Sequence, residues 1–169
     1  MENASSLQRE LADLHPKSFG WAVACCLYDR VEAEEVLQTS YLKVLSGRAR
    51  FDRRSSFKTW LFGVIRRTAG EARRRRFLGQ LLLARMERFR PEPAAPVAET
   101  RDDRAVLSLL RRLAPRQREV LELVFYQDLS LAEAAAVMRV SVGAARVHYH
   151  RGKEKLREAL LGRRRRGAG

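Results

Sequence analysis

A chain of 169 residues with 34 Lys and Arg against 20 Asp and Glu carries a formal net charge of +14. That imbalance favours a polyanionic partner, nucleic acid or an anionic membrane surface. An apolar content of 46% excludes a wholly disordered basic tail, and no apolar run approaches the ~20 residues needed to cross a bilayer.

The opening stretch "MENASSLQRELADL" is polar and acidic where a signal peptide would be basic and then apolar, so a cytoplasmic protein without direct membrane insertion is expected. Cys25 and Cys26 are adjacent, a spacing that suits neither a normal disulfide nor a metal site. They read as small core residues in a reducing compartment, with a redox role left open. The segment "VEAEEVLQTSYLKVL" then places Val36, Leu37, Tyr41, Val44 and Leu45 on one helical stripe. In "FKTWLFGVIRRTAGEARRRR" the stripe is Phe57, Trp60, Leu61, Val64 and Ile65, and the end, 73–76, is wholly arginine.

Three prolines within "PEPAAP", residues 91–96, make a poor helix and a good linker. The expected organisation is an N-terminal module 1–77, a linker 78–100, a C-terminal module 101–161 and a basic tail 162–169 that reads as frayed. Val106, Leu109, Leu110 and Leu113 mark the next helix. Pro115 fits the first turn of another, with Val120, Leu121, Val124 and Phe125 as its buried side. Strand signals are nearly absent. The fold class is therefore all-α, two small helical domains joined by a flexible linker.

The C-terminal domain carries a helix-turn-helix signal. Ser130 and Glu133 form a capping box, Ser141 caps a second helix after a turn of about three residues, and Arg139 holds a turn position where glycine is common. Ala145, Tyr149, Gly152 and Leu156 form the second helix's inward stripe, leaving Arg146, Val147, His150 and Arg151 outward. In such a unit the second helix enters the major groove, ~12 Å wide, and meets base edges.

Residues 51–76 carry a different signal, with Phe51, Arg53, Arg54, Phe57, Lys58, Trp60, Phe62, Arg66 and Arg67 interleaving rings and cations. Exposed rings beside arginines suit unstacked, single-stranded bases better than duplex. The plainer reading makes Phe57, Trp60 and Leu61 core, leaving the loop "FDRRSSF" poised over a basic helix. A nucleic-acid enzyme is the weakest alternative. His148 and His150 diverge on their helix, His15 is distant, and no paired-carboxylate or metal-ligand spacing stands out. No catalytic residue, metal, cofactor or small-molecule substrate is expected. A stand-alone operator-binding regulator stays open, although it leaves 51–76 and "AEEVLQ" without a role.

Three segments together resemble one family: "AEEVLQTSYLKVL" at 33–45, "FDRRSSFKTWLFGVIRRTAGEARR" at 51–74 and "LAPRQREVLELVFYQDLSLAEAAAVMRVSVGAARVHYHRGKEKL" at 113–156. They are similar, in order and separation, to the group IV, or extracytoplasmic-function, sigma factors of bacterial RNA polymerase. The resemblance implies a promoter-recognition subunit whose partners are core RNA polymerase, promoter DNA and an anti-sigma factor. It implies that Glu35 and Gln38 dock on the polymerase clamp. Phe51, Arg53, Arg54, Ser55, Phe57, Arg66 and Arg67 would capture melted bases of the −10 element. Arg146, Val147, His150 and Arg151 would read the −35 element as duplex. The sequence departs from the family at Arg67, where Asn is common, and at Glu71, where Asp is common.

Overall fold

The computed structural model describes the backbone of residues 2–85 and 108–166 and the side chains of residues 6–82 and 108–162. The proline-rich segment 91–96 and Val106 lie outside the described residues. The chain divides into two compact units, Met1–Val97 and Ala98–Gly169. Among the described residues every regular element is helical, as the sequence predicts.

The first unit is built from α1 (Glu2–Cys25), α2 (Arg30–Leu45) and α3 (Phe57–Arg85), each packed on the other two. Helix α1 carries no clear signal in the sequence, yet it supplies Trp21, which is 1% exposed. The Trp21 indole Nε1 donates to the Phe62 carbonyl at 3.0 Å, and the two rings stack 6.0 Å apart. A buried indole N–H needs such an acceptor, and a helical carbonyl has a second lone pair to offer. Val36, Leu37, Val44, Leu61, Val64 and Ile65 close the core as expected, whereas Leu45 is 50% exposed. Val44 already covers the inner side there, and the next residue lies ~100° further round the helix.

Local chemistry sets the helix ends. Leu27 and Tyr28 are both left-handed, at φ 55° and 69°, without glycine. The Tyr28 N–H donates to the Val23 carbonyl at 2.8 Å, closing the end of α1, and its buried ring offsets the backbone strain. Asp29 then caps α2, accepting from the Glu32 N–H at 3.0 Å. Cys26 is buried, Cys25 is half-buried, and neither is in a disulfide. Burial pushes the Cys26 thiol up to about 12, with the Glu32 and Asp29 carboxylates adding to the effect.

Ser56 caps α3 by accepting from the Thr59 N–H at 3.2 Å. Helix α3 runs past residue 77, where the sequence reading ends the module, to Arg85. Beyond the core it is held to α2 by two ion pairs. Arg76 grips Glu32 with both terminal guanidinium nitrogens, at 2.9 and 3.0 Å, and Lys43 meets Glu71 at 2.6 Å.

In the second unit residues 108–111 are helical, and Leu109, Leu110 and Leu113 are buried. Helix α4 (Pro115–Leu121) starts on its proline and continues as a single π turn, Glu122–Tyr126. That turn corrects the expected buried face. Val120 and Leu121 are buried and Val124 half-buried, but Phe125 is 54% exposed and Leu123 is buried instead. A π turn closes its bond five residues back, so each residue rotates less than in an α-helix and the inward position shifts.

Helices α5 (Leu131–Met138) and α6 (Val142–Arg166) pack on each other and on α4. The capping box forms, with the Glu133 N–H donating to Ser130 Oγ at 3.2 Å and the Ser130 N–H donating to Glu133 Oε2 at 2.9 Å. Arg139 adopts φ 55° and ψ 50°, the left-handed state in which glycine is easiest. Arg116 Nη1 donates to the Met138 carbonyl at 3.0 Å, satisfying one of the last acceptors of α5. Ser141 accepts from the Ala144 N–H at 3.1 Å and starts α6, which stays helical to Arg166, through most of the stretch read as a frayed tail.

Candidate nucleic-acid interface

The inner side of α6 is set by close packing. Ala145 and Gly152 are buried, and Tyr149 and Leu156 are half-buried. Tyr149 stacks on Phe125 at 5.8 Å, and Lys153 Nζ lies 5.1 Å from the Tyr149 ring centre. Those contacts fix the rotation of the helix. Arg146, Val147, His150 and Arg151 are all exposed on the opposite side. His150 Nε2 lies 3.3 Å from Glu154 Oε1, an acidic neighbour that the sequence reading did not include. Spacing of four on one helix could have revealed it.

In the first unit Phe51, Phe57 and Trp60 form a triangle of rings, with centroid separations of 5.4, 5.2 and 5.4 Å. All three are half-buried, so the plainer core reading holds for one side of the cluster while the other side meets solvent. Phe62 belongs to the core outright. The intervening loop is tight. The Arg54 N–H donates to Asp52 Oδ1 at 3.2 Å, and Arg53 takes φ 58° between them. Arg53 and Arg54 are exposed, and Ser55 is half-buried with its hydroxyl on the Ser56 carbonyl at 3.2 Å. On α3, Arg67 is exposed and Arg66 half-buried. Close by, Lys43 Nζ donates to Thr68 Oγ1 at 3.1 Å as well as to Glu71, and its hydrogen bond holds the Glu71 carboxyl below the usual range.

Glu35 and Gln38 are exposed on the outer side of α2. They share that side with Val31, Leu42 and Leu45, which are 70, 67 and 50% exposed. Val31, Glu35, Gln38, Leu42 and Leu45 are spaced four, three, four and three, the seam of a heptad repeat. The resemblance points to its two polar members; Val31 and Leu42 fall outside the inward stripe, and Leu45, expected on that stripe, belongs to this seam instead.

Among the described residues no group of His, Cys, Asp or Glu is placed to hold a metal ion, and no helix is long and apolar enough to cross a membrane.

Comparison with known proteins matches both units. The family description "Sigma-70 region 2" fits residues 12–77, and "Sigma-70, region 4" fits residues 103–156. The RNA polymerase sigma factor CarQ of Myxococcus xanthus is 34% identical over 134 residues, which cover 76% of this chain and 74% of that one. The ECF sigma factor SigX of Bacillus subtilis is 30% identical over 142 residues, covering 78% and 72%. Among solved structures, the sigma factor RpoE in complex with the anti-sigma factor NepR from Bartonella quintana shares the fold, with a TM-score of 0.76, 23% identity and coverage of 92% and 97%. With that agreement along both units, the chain belongs to the sigma-70 family as an RNA polymerase sigma factor of the extracytoplasmic-function type, a transcription initiation factor and not an enzyme.

Proposed function

We propose that the two units read promoter DNA in two physical states. Helix α6 reads the −35 element as duplex through Arg146, Val147, His150 and Arg151. Phe51, Arg53, Arg54, Ser55, Phe57, Arg66 and Arg67 hold the −10 element as melted strand. The observation that carries this reading is the difference in chemistry between the two surfaces. The outer side of α6 offers arginines, the short side chain of Val147 and a single imidazole, His150, with no cluster of rings, which suits base edges in a groove. The loop before α3 offers half-exposed rings beside exposed arginines, which suits unstacked bases. Opening each base-pair step costs ~1.4 kcal/mol on average, and capture of extruded bases offsets that cost.

Residues 1–77 then form the part that binds core polymerase and the −10 element, 101–161 the −35 reader, and 162–169 a basic tail. Residues 78–100 connect them, starting as helix as far as Arg85. Eight helical residues followed by about 15 extended ones could span at most ~60–65 Å, close to two turns of duplex. Glu35 and Gln38 dock on core polymerase, and the heptad spacing around them fits a coiled-coil partner. An anti-sigma factor is a further expected partner, since RpoE of B. quintana is described in complex with one.

Footprinting on fully paired promoter and on promoter carrying a pre-melted −10 bubble tests the reading. With core polymerase, sharp protection of both elements is expected; alone, the protein should prefer the bubble at −10 and show weak selectivity on duplex. Equally sharp protection of paired DNA without core enzyme would favour an operator-binding regulator.

A further inference from the structure

Between Arg146 and Arg151 on the outer side of α6, one side chain, that of Val147, is neither charged nor polar. Val147 lies about 200° round the helix from both Ala145 and Tyr149, counting ~100° per residue, so it points straight away from the packed side. It is 47% exposed and is flanked in sequence by the exposed Arg146 and, one turn on, by His150 and Arg151. Packing does not account for a valine at that place, and neither does helix propensity, since β-branched residues are poorer helix formers than alanine.

A valine side chain is short, so it can touch a base only if the helix comes deep into the groove. Gly143, one turn earlier on the same side, permits that approach. A Cβ built there meets only Ser141 Oγ, at 3.9 Å, and φ is not positive, so neither packing nor backbone conformation demands glycine. Gly152 stands in contrast, since its missing side chain is explained by Leu121 and Gln117 inside the unit. At Gly143 the empty space faces outward.

In the major groove the one apolar group a base edge presents is the 5-methyl of thymine. We propose that Val147 is a specificity-determining residue that reads a thymine methyl at one position of the −35 element, between the contacts of Arg146 and Arg151. This rests on the duplex reading by α6 proposed above and adds what the centre of that surface selects. Cytosine, whose edge lacks the methyl and carries an amino group, is disfavoured there, and thymine is distinguished from uracil.

The test is a cycle between one methyl group and one side chain. Each thymine of either −35 strand is replaced singly by deoxyuridine, and binding of holoenzyme carrying the full chain is measured for the wild type and for Val147→Ala. At one position the methyl loss should weaken the wild type about three- to fivefold, the scale of one buried methyl. Val147→Ala should bind the thymine and deoxyuridine promoters equally. Its exposure makes a folding defect an unsuitable explanation, and an unchanged thermal midpoint checks this. If base-pair substitutions in the −35 element matter but no deoxyuridine does, or if the deoxyuridine penalty survives in Val147→Ala, the valine assignment is overturned. If the wild type ignores base-pair substitutions as well, the duplex reading itself fails.

Discussion

A Cβ at Gly152 would stand 2.9 Å from Leu121 Cδ1 and 3.3 Å from both Cβ and the carbonyl oxygen of Gln117. Helices α4 and α6 therefore cross on a residue with no side chain, and the rotation of the outer side of α6, the side proposed to face DNA, is set by that contact. Extra methyl groups forced into a packed core cost about 1–3 kcal/mol. Alanine regains up to about 1 kcal/mol in helix propensity, so Gly152→Ala should be mildly destabilising. Gly152→Leu should prevent the second unit from folding, while Gly162→Ala, with nothing within 4 Å, should be neutral or stabilising. Denaturant melts followed by circular dichroism check the order of the three.

Arg146 and Arg151 should fail in different ways. Arg146 stands nearer the Ser141 cap, where a recognition helix points into the groove. Arg146→Ala should relax preference at one or two −35 positions and cost about 1–3 kcal/mol on the cognate site. Arg151→Ala should weaken all −35 sequences alike and lower the salt slope by about one. Binding to singly substituted −35 elements at several salt concentrations separates the two. A uniform loss in Arg146→Ala would make that arginine a phosphate anchor.

The outer seam of α2 makes a prediction about assembly. Glu35→Arg should abolish capture of core polymerase, because it reverses charge while remaining a good helix former. Leu42→Asp should do the same through the apolar part of the seam, since Leu42 is 67% exposed and contributes little to the core. Both variants should melt like the wild type. Unchanged pull-down of core enzyme by either one would remove it from the docking surface.

The two cysteines should behave unequally. With the Cys26 thiol raised from 9.0 to about 12, it stays protonated and unreactive in the folded protein. Alkylation at pH 8 should therefore modify Cys26 only under unfolding conditions. A folded value above the unfolded one means that the contribution to stability is complete below the ordinary thiol range. It is lost as pH rises toward about 12. Cys26→Ala should flatten the fall in stability over that alkaline window, measured by chemical denaturation at stepped pH.

Features that depend on near neighbours were legible before any coordinates. The Ser130–Glu133 box, the Ser141 cap, the Pro115 start and the inward stripe of α6 are each settled within a turn or two of chain, and the structure has all of them. What escaped depends on contacts distant in sequence or on unusual backbone. The π turn that exposes Phe125 and buries Leu123 has no residue signature of its own. Helix α1 was unread because Pro16 lies inside it and its main anchor, Trp21, bonds to a carbonyl far along the chain. The ends at Leu27 and Tyr28 take a conformation that glycine normally announces.

Arg139 has the same character, and it sets two demands against each other in the turn. Holding a side chain at φ 55° costs about 1–2 kcal/mol against a glycine in that place, yet the cation is exposed beside the helix proposed to enter DNA. A single change to glycine would relax the backbone and remove one positive charge. Stability and attraction to the polyanion are thus traded at one position, the backbone favouring glycine and the charge favouring arginine.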